Sequence, residues 1–492
     1  MRWIRGLRTL SFGFMLACFL FIAIPLEGWA QTGGYAAAEA TIQALFLSDI
    51  HFEPFFDPGK ATQLAAAPVS AWKGILASAP SADRELQFAA LEKACHTRGE
   101  DTSYPLLESS VQAIQKNAAR AKFLTVSGDL ISHAFECKFA AEFPKAAPGD
   151  YRAFVEKTLD FVMEEVDGAL PGVPVYWALG NNDSDCGDYK LDTHSEFLAA
   201  VGEEVTKSIP AAERKAAQET FAAGGYYSVR LPMRNARLLV LDDLFMSGKY
   251  TTCGGKTDSS AADAQIAWLE RQLAEARGNK EKIWVMAHIP PGVDVHSSAT
   301  HMDEVCGAKG PRMFLGSEKI ADVLISNSDV VLLAIFAHTH MDELRILKAE
   351  NGAKPGPVSA TGVAVKMVSS ISPINKNAPS ITVASVDPAT AELKDFKVFA
   401  ASDATGVDTA WHEEYDWDEV YHQSEFSAAS VSKLVAGFQA DPAAKTEASQ
   451  AYIKDFYVGS SPLLALVWPQ YACSLQHDSA DGFKACVCPA PK

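Results

Sequence analysis

The chain has 492 residues, of which 48% are apolar and 21% are charged, and 61 acidic against 43 basic side chains give a formal net charge of -18. This composition excludes a disordered or collagen-like polymer, and the acidic balance argues against a dedicated nucleic-acid binder, which would present a basic face. A chain of this length can bury a large core, so neither a metal ion nor a disulfide is needed merely for folding.

The first 30 residues have the pattern of a secretory signal peptide. Three arginines precede an apolar run from Leu10 to Leu26, and Gly28 and Ala30 provide small residues for cleavage after Ala30. An uncleaved membrane anchor and a lipoprotein modified at Cys18 are the alternatives. We therefore expect a secreted or periplasmic protein. No later segment reaches the roughly 20 apolar residues of a spanning helix, so the mature chain is expected to have no transmembrane segment.

Eight cysteines follow the predicted cleavage site, and an even number in an oxidising compartment predicts disulfides. They are Cys95, Cys137, Cys186, Cys253, Cys306, Cys473, Cys486 and Cys488. The sequence leaves their connectivity open. Cys486 and Cys488 are interpreted as part of a small C-terminal staple, and Cys186 as a loop disulfide or as a residue at the rim of a substrate site.

Short apolar runs bounded by turn residues predict strands. Five of them lie at 42–47, 123–126, 173–179, 283–287 and 330–336, and two more are suggested at 226–230 and 237–241. Apolar residues at helical spacing predict helices over 151–170 and 263–276. Strands that alternate with helices predict an α/β layered domain.

The character of the chain changes near residue 400. Residues 411–426 are aromatic and acidic, 427–440 and 443–457 are predicted helices, and the last three cysteines follow. We therefore predict a signal peptide over 1–30, a catalytic domain over 31–400 and a small, helical, cysteine-containing C-terminal subdomain over 401–492.

Each of the five main predicted strands ends in a short cluster of Asp, Asn or His. The clusters are Asp49 with His51, Asp129 after Gly128, Asn181 with Asn182 and Asp183 after Gly180, His288, and His338 with His340. One such cluster is explained as well by a turn or a helix cap. Five in succession favour a binding site, because ligands gather outside the carboxyl ends of strands in open α/β sheets.

Carboxylate, imidazole and amide donors together suit divalent metal ions, with Zn as the first expectation and Mn or Fe as alternatives. Residues two apart, such as Asp49 and His51, leave a strand on the same side and can face one site. Two ions close together are a standard means of hydrolysing phosphate esters. The pattern therefore predicts two divalent metal ions and a small phosphate-ester substrate.

The order of these clusters resembles that of the calcineurin-like metallophosphoesterases. Stretches 125–133, 287–292, 337–343 and 370–380 look like the acid sphingomyelinase-like phosphodiesterase branch, and 385–393 fits its closing hairpin. The resemblance covers about Leu45 to residue 400. It implies an α/β fold in which a central β-sandwich is flanked by helices, with the metals at the sheet edge.

The resemblance also implies roles for individual residues. Asp49, His51, Asp129 and His340 would bind the first metal, and Asn181, His288 and His338 the second, with Asp129 bridging. His133, four residues after Asp129, would lie beside the phosphate and stabilise it or protonate the leaving group. The implied reaction is hydrolysis by metal-hydroxide attack.

The sequence departs from the family pattern at Asn182, where the family commonly has a catalytic histidine that contacts the phosphate. An asparagine can donate a hydrogen bond but cannot supply a proton. The Gly-Asn-Asn-Asp form is also similar to the endopolyphosphatases, whose leaving groups need less protonation. An endo- or exopolyphosphatase is therefore the alternative function, and an inactive module that binds a phosphorylated ligand is a third hypothesis. Ala337 replaces a glycine that is usual in the branch, which we interpret as tolerated.

Only about ten residues separate the predicted cleavage site from the first strand, which leaves no room for the saposin-like lipid-presenting domain of acid sphingomyelinase. We therefore expect a secreted, monomeric dinuclear-metal phosphohydrolase that cleaves soluble phosphodiesters or nucleotide phosphates. His296 and His301 follow the His288 cluster and are interpreted as surface residues or as the lining of a substrate groove.

Overall fold

Two six-stranded β-sheets form the centre of the molecule in the computed structural model, which describes residues 41–349, 362–459 and 463–488. The predicted signal peptide over 1–30 lies outside the described residues. The strands, β1 to β12 in chain order, span Ile42–Leu47, Ala121–Val126, Val175–Trp177, Tyr227–Arg230, Ala236–Val240, Lys282–Met286, Val331–Phe336, Glu343–Leu347, Val363–Met367, Ser380–Val386, Leu393–Ala401 and Trp411–Asp416.

The α-helices cover the outer faces and ends of the sheets. In chain order, α1 to α17 span Ala61–Ala66, Trp72–Leu76, Arg84–Cys95, Tyr104–Asn117, Phe135–Glu142, Asp150–Ala169, Glu196–Val205, Ala211–Gly224, Ser260–Asn279, Val295–Ser298, Met302–Val305, Lys319–Ser326, Trp417–Tyr421, Ala428–Gln439, Glu447–Asp455, Trp468–Ser474 and Ala480–Val487. None of these described helices is both long enough and apolar enough to span a membrane.

The order of the strands brings the ends of the predicted strands to one place. The first sheet has the order β12-β11-β10-β1-β2-β3, with β1, β2 and β3 parallel. The second has the order β4-β5-β6-β7-β9-β8, with β5, β6, β7 and β9 parallel. Parallel strands present their carboxyl ends at the same edge, which is where the polar clusters follow in the sequence.

The two sheets pack face to face through alternating side chains of their strands. The Trp284 ring of β6 faces the first sheet, where its centroid lies 6.0 Å from that of Phe46 and 5.9 Å from that of Phe123. Ile283 and Val285 point the other way, into a second core formed with α9 and α12. Because both faces of β6 are buried, its sequence is a continuous apolar run rather than an alternating one. The predicted β-sandwich flanked by helices is confirmed.

The elements predicted from apolar periodicity are present with small shifts in their ends. The helices predicted over 151–170 and 263–276 are α6 and α9, and the two C-terminal ones are α14 and α15. The predicted strand over 173–179 is shorter, because only Val175–Trp177 pairs with β2. The region after residue 400 is helical as expected, but it also contains β12, which pairs with β11 at the edge of the first sheet. The domain boundary at residue 400 stays a prediction.

Strands β8 and β9 were not predicted from the sequence, and β8 shows why. Its residues Glu343 and Arg345 are charged, yet both are buried and pair at 3.2 Å. The hydroxyl of Tyr471, on α16, donates a short hydrogen bond to Glu343. The charges of β8 are therefore satisfied by each other and by the C-terminal helices, a contact that no local pattern reveals.

All eight cysteines form disulfides, as their even number predicts. The pairs are Cys95–Cys137, Cys186–Cys253, Cys306–Cys488 and Cys473–Cys486. Cys473–Cys486 is a local C-terminal staple, whereas Cys488 reaches back to the segment that follows β6. Four disulfides fit an oxidising compartment.

Candidate active site

Five predicted ligands lie in turns with a left-handed backbone at the carboxyl ends of three strands. The φ angles are 44° at Asp49, 44° at His51, 56° at Asp129, 71° at His338 and 69° at His340. Positive φ is uncommon for residues other than glycine, and strained backbone of this kind clusters at functional sites. These five side chains therefore belong to turns that follow the strands and not to the strands themselves.

Two glycines of the predicted motifs are required by the close approach of these turns. A Cβ atom on Gly180 would lie 2.1 Å from the Asp129 carboxylate. A Cβ atom on Gly128, which has a φ of 93°, would lie 2.7 Å from the backbone nitrogen of Gly180. The Gly-Asp and Gly-Asn pairs therefore let the loops after β2 and β3 pack against each other around Asp129.

Asp49, His51, Asp129 and His340 form a first buried cluster. His51 Nε2 lies 3.4 Å from Asp129 Oδ2 and 3.7 Å from Asp49 Oδ1. His340 Nε2 lies 3.5 Å from Asp49 Oδ1 and 3.2 Å from His51 Nε2. The structure thus brings together the four residues that the family resemblance assigns to the first metal.

Asp129 also belongs to a second cluster with His288 and His338. Its Oδ2 lies 3.1 Å from His288 Nε2, and His288 Nε2 lies 3.3 Å from His338 Nδ1. Asn181 lies on the same loop as Asn182, which contacts Asp129, and its side-chain amide donates to Asp188 Oδ1 at 2.7 Å. This hydrogen bond leaves Asn181 Oδ1 as an acceptor without a protein partner.

The donor atoms of both clusters fit divalent ions. Asp49 Oδ1 and Asn181 Oδ1 are buried and have no hydrogen-bond partner, which is costly unless a cation binds them. His51 Nδ1 lies 2.9 Å from the carbonyl oxygen of Ile131, and His288 Nδ1 lies 2.8 Å from that of Ser127. Such contacts fix the ring orientation and direct Nε2 into the cluster, as is usual for metal-binding histidines.

The electrostatics of the site favour positive charge near Asp129. Burial lowers the pKa of His51 and of His288, but neighbouring carboxylates, Asp129 first, outweigh burial and raise these pKa values to about 9 and about 10. Burial and the nearby imidazoles lower the pKa of His338 to about 3 and that of His340 to about 4. Two histidines therefore hold a proton at neutral pH that a bound cation would replace.

We expect metal uptake to release protons, with an affinity that falls as the pH falls. Below about pH 9, both His51 and His288 must lose a proton before their Nε2 atoms can bind, whereas His338 and His340 are already neutral above pH 5. The overall affinity for two Zn²⁺ ions should rise by up to ~100-fold per pH unit between pH 6 and pH 8. Calorimetric titration in buffers of different ionisation enthalpy measures the protons released.

The control for this linkage is His51→Gln, which removes one of the two titrating ligands and should lower the number of protons released by about one. An unchanged heat in all buffers near pH 7 would contradict the linkage.

His133 lies beside the first cluster and is held by a residue that the sequence analysis missed. Its ring stacks on that of His51 with centroids 4.0 Å apart, and its Nδ1 lies 3.1 Å from Asp101 Oδ1. Burial raises the pKa of Asp101, but His133 and His51 outweigh burial and hold that pKa well below its usual range. Asp101 precedes His133 by 32 residues in a loop, and no spacing in the sequence links the two.

Asn182 contacts the carboxylate that the two clusters share. Its backbone N–H donates to Asp129 Oδ1 and its side-chain amide to Asp129 Oδ2, both at 2.9 Å. Asp183, from the same predicted cluster as Asn182, accepts hydrogen bonds from the backbone of Leu130, Ile131 and Gly180 and so fixes the loop. Burial, with Asp129 nearby, raises the pKa of Asp183 to about 7.

Two more residues support the second cluster, and of these Tyr189 was not predicted from the sequence. Asp243 Oδ1 accepts from the backbone N–H groups of His288 and Ile289 and so holds the His288 turn. The hydroxyl of Tyr189 lies 3.4 Å from His338 Nε2. A further group, Asp185 with Cys186 and Cys253, has the proximity of a metal site, but its sulfurs form a disulfide and are not available.

A sequence model of the calcineurin-like phosphoesterase family matches residues 42–342, more than half of the chain. The chain is 25% identical over 418 residues to the Homo sapiens protein named cyclic GMP-AMP phosphodiesterase SMPDL3A, covering 83% of this chain and 82% of the relative. It is 24% identical over 409 residues to the Homo sapiens acid sphingomyelinase-like phosphodiesterase 3b, covering 79% and 80%. A solved structure, a dimetal phosphatase from Danio rerio, aligns with a TM-score of 0.39 and 12% identity over 75% of this chain and 98% of that one.

Proposed function

The chain belongs to the calcineurin-like phosphoesterase family and is a metal-dependent phosphoester hydrolase, and from this premise we propose that it is a secreted dinuclear enzyme that cleaves soluble phosphodiesters. One observation carries the proposal. The carboxylate of Asp129 belongs to two donor clusters at once, with His51 on one side and His288 with His338 on the other.

The side chains divide into two sets around this carboxylate. Asp49, His51 and His340 would hold the first ion, and Asn181, His288 and His338 the second, with Asp129 shared. When bound, the ions polarise the phosphoryl oxygens and neutralise the charge that develops on phosphorus. Zn suits these mixed oxygen and nitrogen donors, as do Mn and Fe.

His133 and Asn182, which contact residues of the first cluster, would act on the phosphate that the two ions hold. With its Nδ1 turned to Asp101, His133 has Nε2 left for the substrate. The side chain of His133 is 35% exposed, in contrast to the proposed ligands other than the partly buried His338, which are almost fully buried. A residue at the mouth of the site is suited to hold a proton for the leaving oxygen.

Both named relatives are phosphodiesterases, which supports a diester as the substrate class. The four disulfides support export, in agreement with the signal-peptide pattern of residues 1–30. The monomeric state stays a prediction from the sequence.

A substrate panel on metal-analysed protein tests the proposal. We expect two metal ions per chain and a higher kcat/KM on a soluble diester, such as a cyclic dinucleotide or a glycerophosphodiester, than on sphingomyelin vesicles or long-chain polyphosphate. Activity should be lost with a chelator and regained with Zn²⁺ or Mn²⁺. A fully active preparation without metal, or a preference for vesicles, would overturn it.

A polyphosphatase is the second candidate, and the position of Asn182 favours it. The Asn182 amide donates a hydrogen bond to Asp129 but cannot act as a general acid. The site therefore has one acid fewer to protonate a poor leaving group. Phosphoanhydrides have acidic leaving groups and need this acid least.

We expect Asn182→His to raise kcat/KM on alkyl phosphodiesters by ~10-fold, because it restores a group that can protonate an alkoxide. Little change is expected for p-nitrophenyl diesters and polyphosphate, whose leaving groups are already acidic. Asn182→Gln is the matched control, since it keeps an amide and should give no gain. If Asn182→His brings no selective gain on alkyl esters, the leaving-group argument is wrong.

A further inference from the structure

A cleft of about 610 Å³ lies beside the second cluster and is not used by the proposed ligands or by His133. Its lining comes from two loops, one after β5 that carries Lys249 and one after β6 that carries Asp294, His301, Glu304 and Arg312. His301 thus lines a groove, one of its two sequence-based interpretations. The walls are anchored, because Cys306 in the second loop is bonded to Cys488.

A short series of contacts connects this cleft with the second cluster. Lys249 Nζ lies 4.6 Å from the centroid of the Tyr189 ring and donates to its hydroxyl at 3.5 Å. The same hydroxyl lies 3.4 Å from His338 Nε2. On the other wall, Met313 lines the cleft, and the ring of its neighbour Phe314 lies 5.8 Å from that of His338.

The cleft has more cationic than anionic side chains, and two of its cations form no ion pair within the cleft. Glu304 is paired with Lys309 at 2.8 Å, and Asp294 accepts hydrogen bonds from the backbone and hydroxyl of Ser297. Lys249 and Arg312 are exposed, and neither has a carboxylate partner among the described residues. Three cations and two carboxylates line the cleft, so it has a net positive charge in a chain with a net charge of -18.

We propose that Lys249 and Arg312 form a subsite for a second anionic group, so that the preferred substrates carry a phosphate in addition to the one that is hydrolysed. This proposal rests on the proposed function, because that function places the scissile phosphate at the two clusters. Lysine and arginine form charge-assisted hydrogen bonds with phosphate oxygens. The cleft opens beside His338, so the second phosphate would extend from the side of Asn181, His288 and His338.

This subsite would determine which class of substrate is preferred and would leave the reaction itself unchanged. A dinucleotide with a further phosphate and a polyphosphate chain both place an anion beside the scissile bond, and a simple diester such as sphingomyelin or a glycerophosphodiester does not. The chemistry needed is a second phosphate within reach of the site, whether it is joined through a nucleoside or through an anhydride.

The test uses three thymidine dinucleotides that share one scissile diester. Thymidylyl-thymidine has that diester alone, and two derivatives add a terminal phosphate at the 5′ or the 3′ end. We expect at least one derivative to exceed the parent in kcat/KM by ~10-fold at low salt, with a smaller ratio at high salt because exposed charges are screened. Tripolyphosphate as a competing substrate distinguishes an anhydride-linked second phosphate from a nucleoside-linked one.

Replacing both cations, in Lys249→Ala with Arg312→Ala, should bring this ratio close to one. The matched control removes the same two charges elsewhere, in Lys433→Ala with Arg120→Ala, both exposed and outside the cleft, and should keep the ratio. The single variants Lys249→Met and Arg312→Gln, each expected to reduce the ratio in part, serve if the double variant does not fold.

The possible results distinguish failure of the subsite proposal from failure of the proposed phosphodiesterase function. Hydrolysis of thymidylyl-thymidine with no preference for either derivative, or a preference that survives the double substitution, overturns the subsite and leaves the phosphodiesterase in place. Absence of metal-dependent hydrolysis of all three dinucleotides and of bis(p-nitrophenyl) phosphate overturns both.

Discussion

Replacing Asp129 with asparagine should reduce kcat/KM by at least ~1000-fold, since the carboxylate that would bind both ions is lost. Asp129 Oδ2 lies 3.1 Å from His288 Nε2 and 3.4 Å from His51 Nε2, so this oxygen faces both clusters. An amide of the same size has one oxygen fewer and no charge. The expected result is a protein with less than two metal ions per chain by elemental analysis.

The asparagine at position 129 should be tolerated by the fold. Its remaining oxygen can still accept the backbone N–H of Asn182, which now donates to Asp129 Oδ1 at 2.9 Å. Removing a buried carboxylate beside Asp183 should also lower the pKa of Asp183 from about 7, because Asp129 contributes to its rise. The same substitution removes the ion pairs of Asp129 with His51 and His288, which opposes the gain at Asp183. We therefore expect a cooperative unfolding transition in the metal-free variant, which separates loss of metal from loss of folding.

Asp322→Asn is the matched control for the charge change. Asp322 is an exposed residue of α12, distant in sequence from every proposed ligand, and its substitution should leave both activity and metal content as they are. Activity of Asp129→Asn within ~10-fold of the parent would mean that the shared carboxylate does not bridge two ions.

The ligands were predictable because strand ends carry them. The strands β1, β2, β6 and β7 are mostly apolar, and parallel pairing within each of the two sheets places the residues that follow its strands at one edge of that sheet. Position in the chain was therefore enough to bring Asp49, Asp129 and His288 together. The positive φ angles that aim them were not predictable, since a left-handed aspartate has no pattern of its own.

The supporting residues could not be found in the same way. Asp101 reaches His133 from a loop 32 residues earlier, and Asp188 reaches Asn181 across a turn of seven residues. Such contacts depend on how loops fold back over the sheet edge, which periodicity does not describe. The cysteine pairing could not be predicted for the same reason. Cys306 and Cys488 are 182 residues apart and meet only when the C-terminal helices pack on the sandwich.

The geometry of the site changes what the net charge of the chain implies for an anionic substrate. A net charge of -18 is unfavourable for an anionic substrate at long range, but salt screens exposed charges beyond about 8 Å at physiological ionic strength. Near the scissile bond, two divalent ions would outweigh Asp49 and Asp129. The acidity therefore bears on solubility and on nucleic-acid polymers, not on phosphate chemistry.

Replacing His133 with glutamine should lower kcat by ~100-fold on diesters with alkyl leaving groups and by less than ~10-fold on p-nitrophenyl diesters, because only the former need a proton in the transition state. Asp101→Asn should reproduce part of the loss, since the carboxylate holds His133 Nδ1 at 3.1 Å and fixes which nitrogen faces the substrate. For this positioning residue, the dependence of kcat on the leaving group is the informative measurement: we expect the loss in Asp101→Asn to be larger on alkyl than on p-nitrophenyl diesters, as in His133→Gln.

His133 has a competing role that the same variant tests. Its ligand atom lies within 4.8 Å of those of His51 and His340, so proximity alone would allow it to bind the first ion. Two observations favour the acid: its Nδ1 is engaged by Asp101, and its side chain is 35% exposed, whereas His51 and His340 are buried. If His133 protonates the leaving group, His133→Gln keeps two ions per chain and loses activity according to leaving-group pKa. A drop to one ion, with equal losses on alkyl and p-nitrophenyl esters, would make it a ligand.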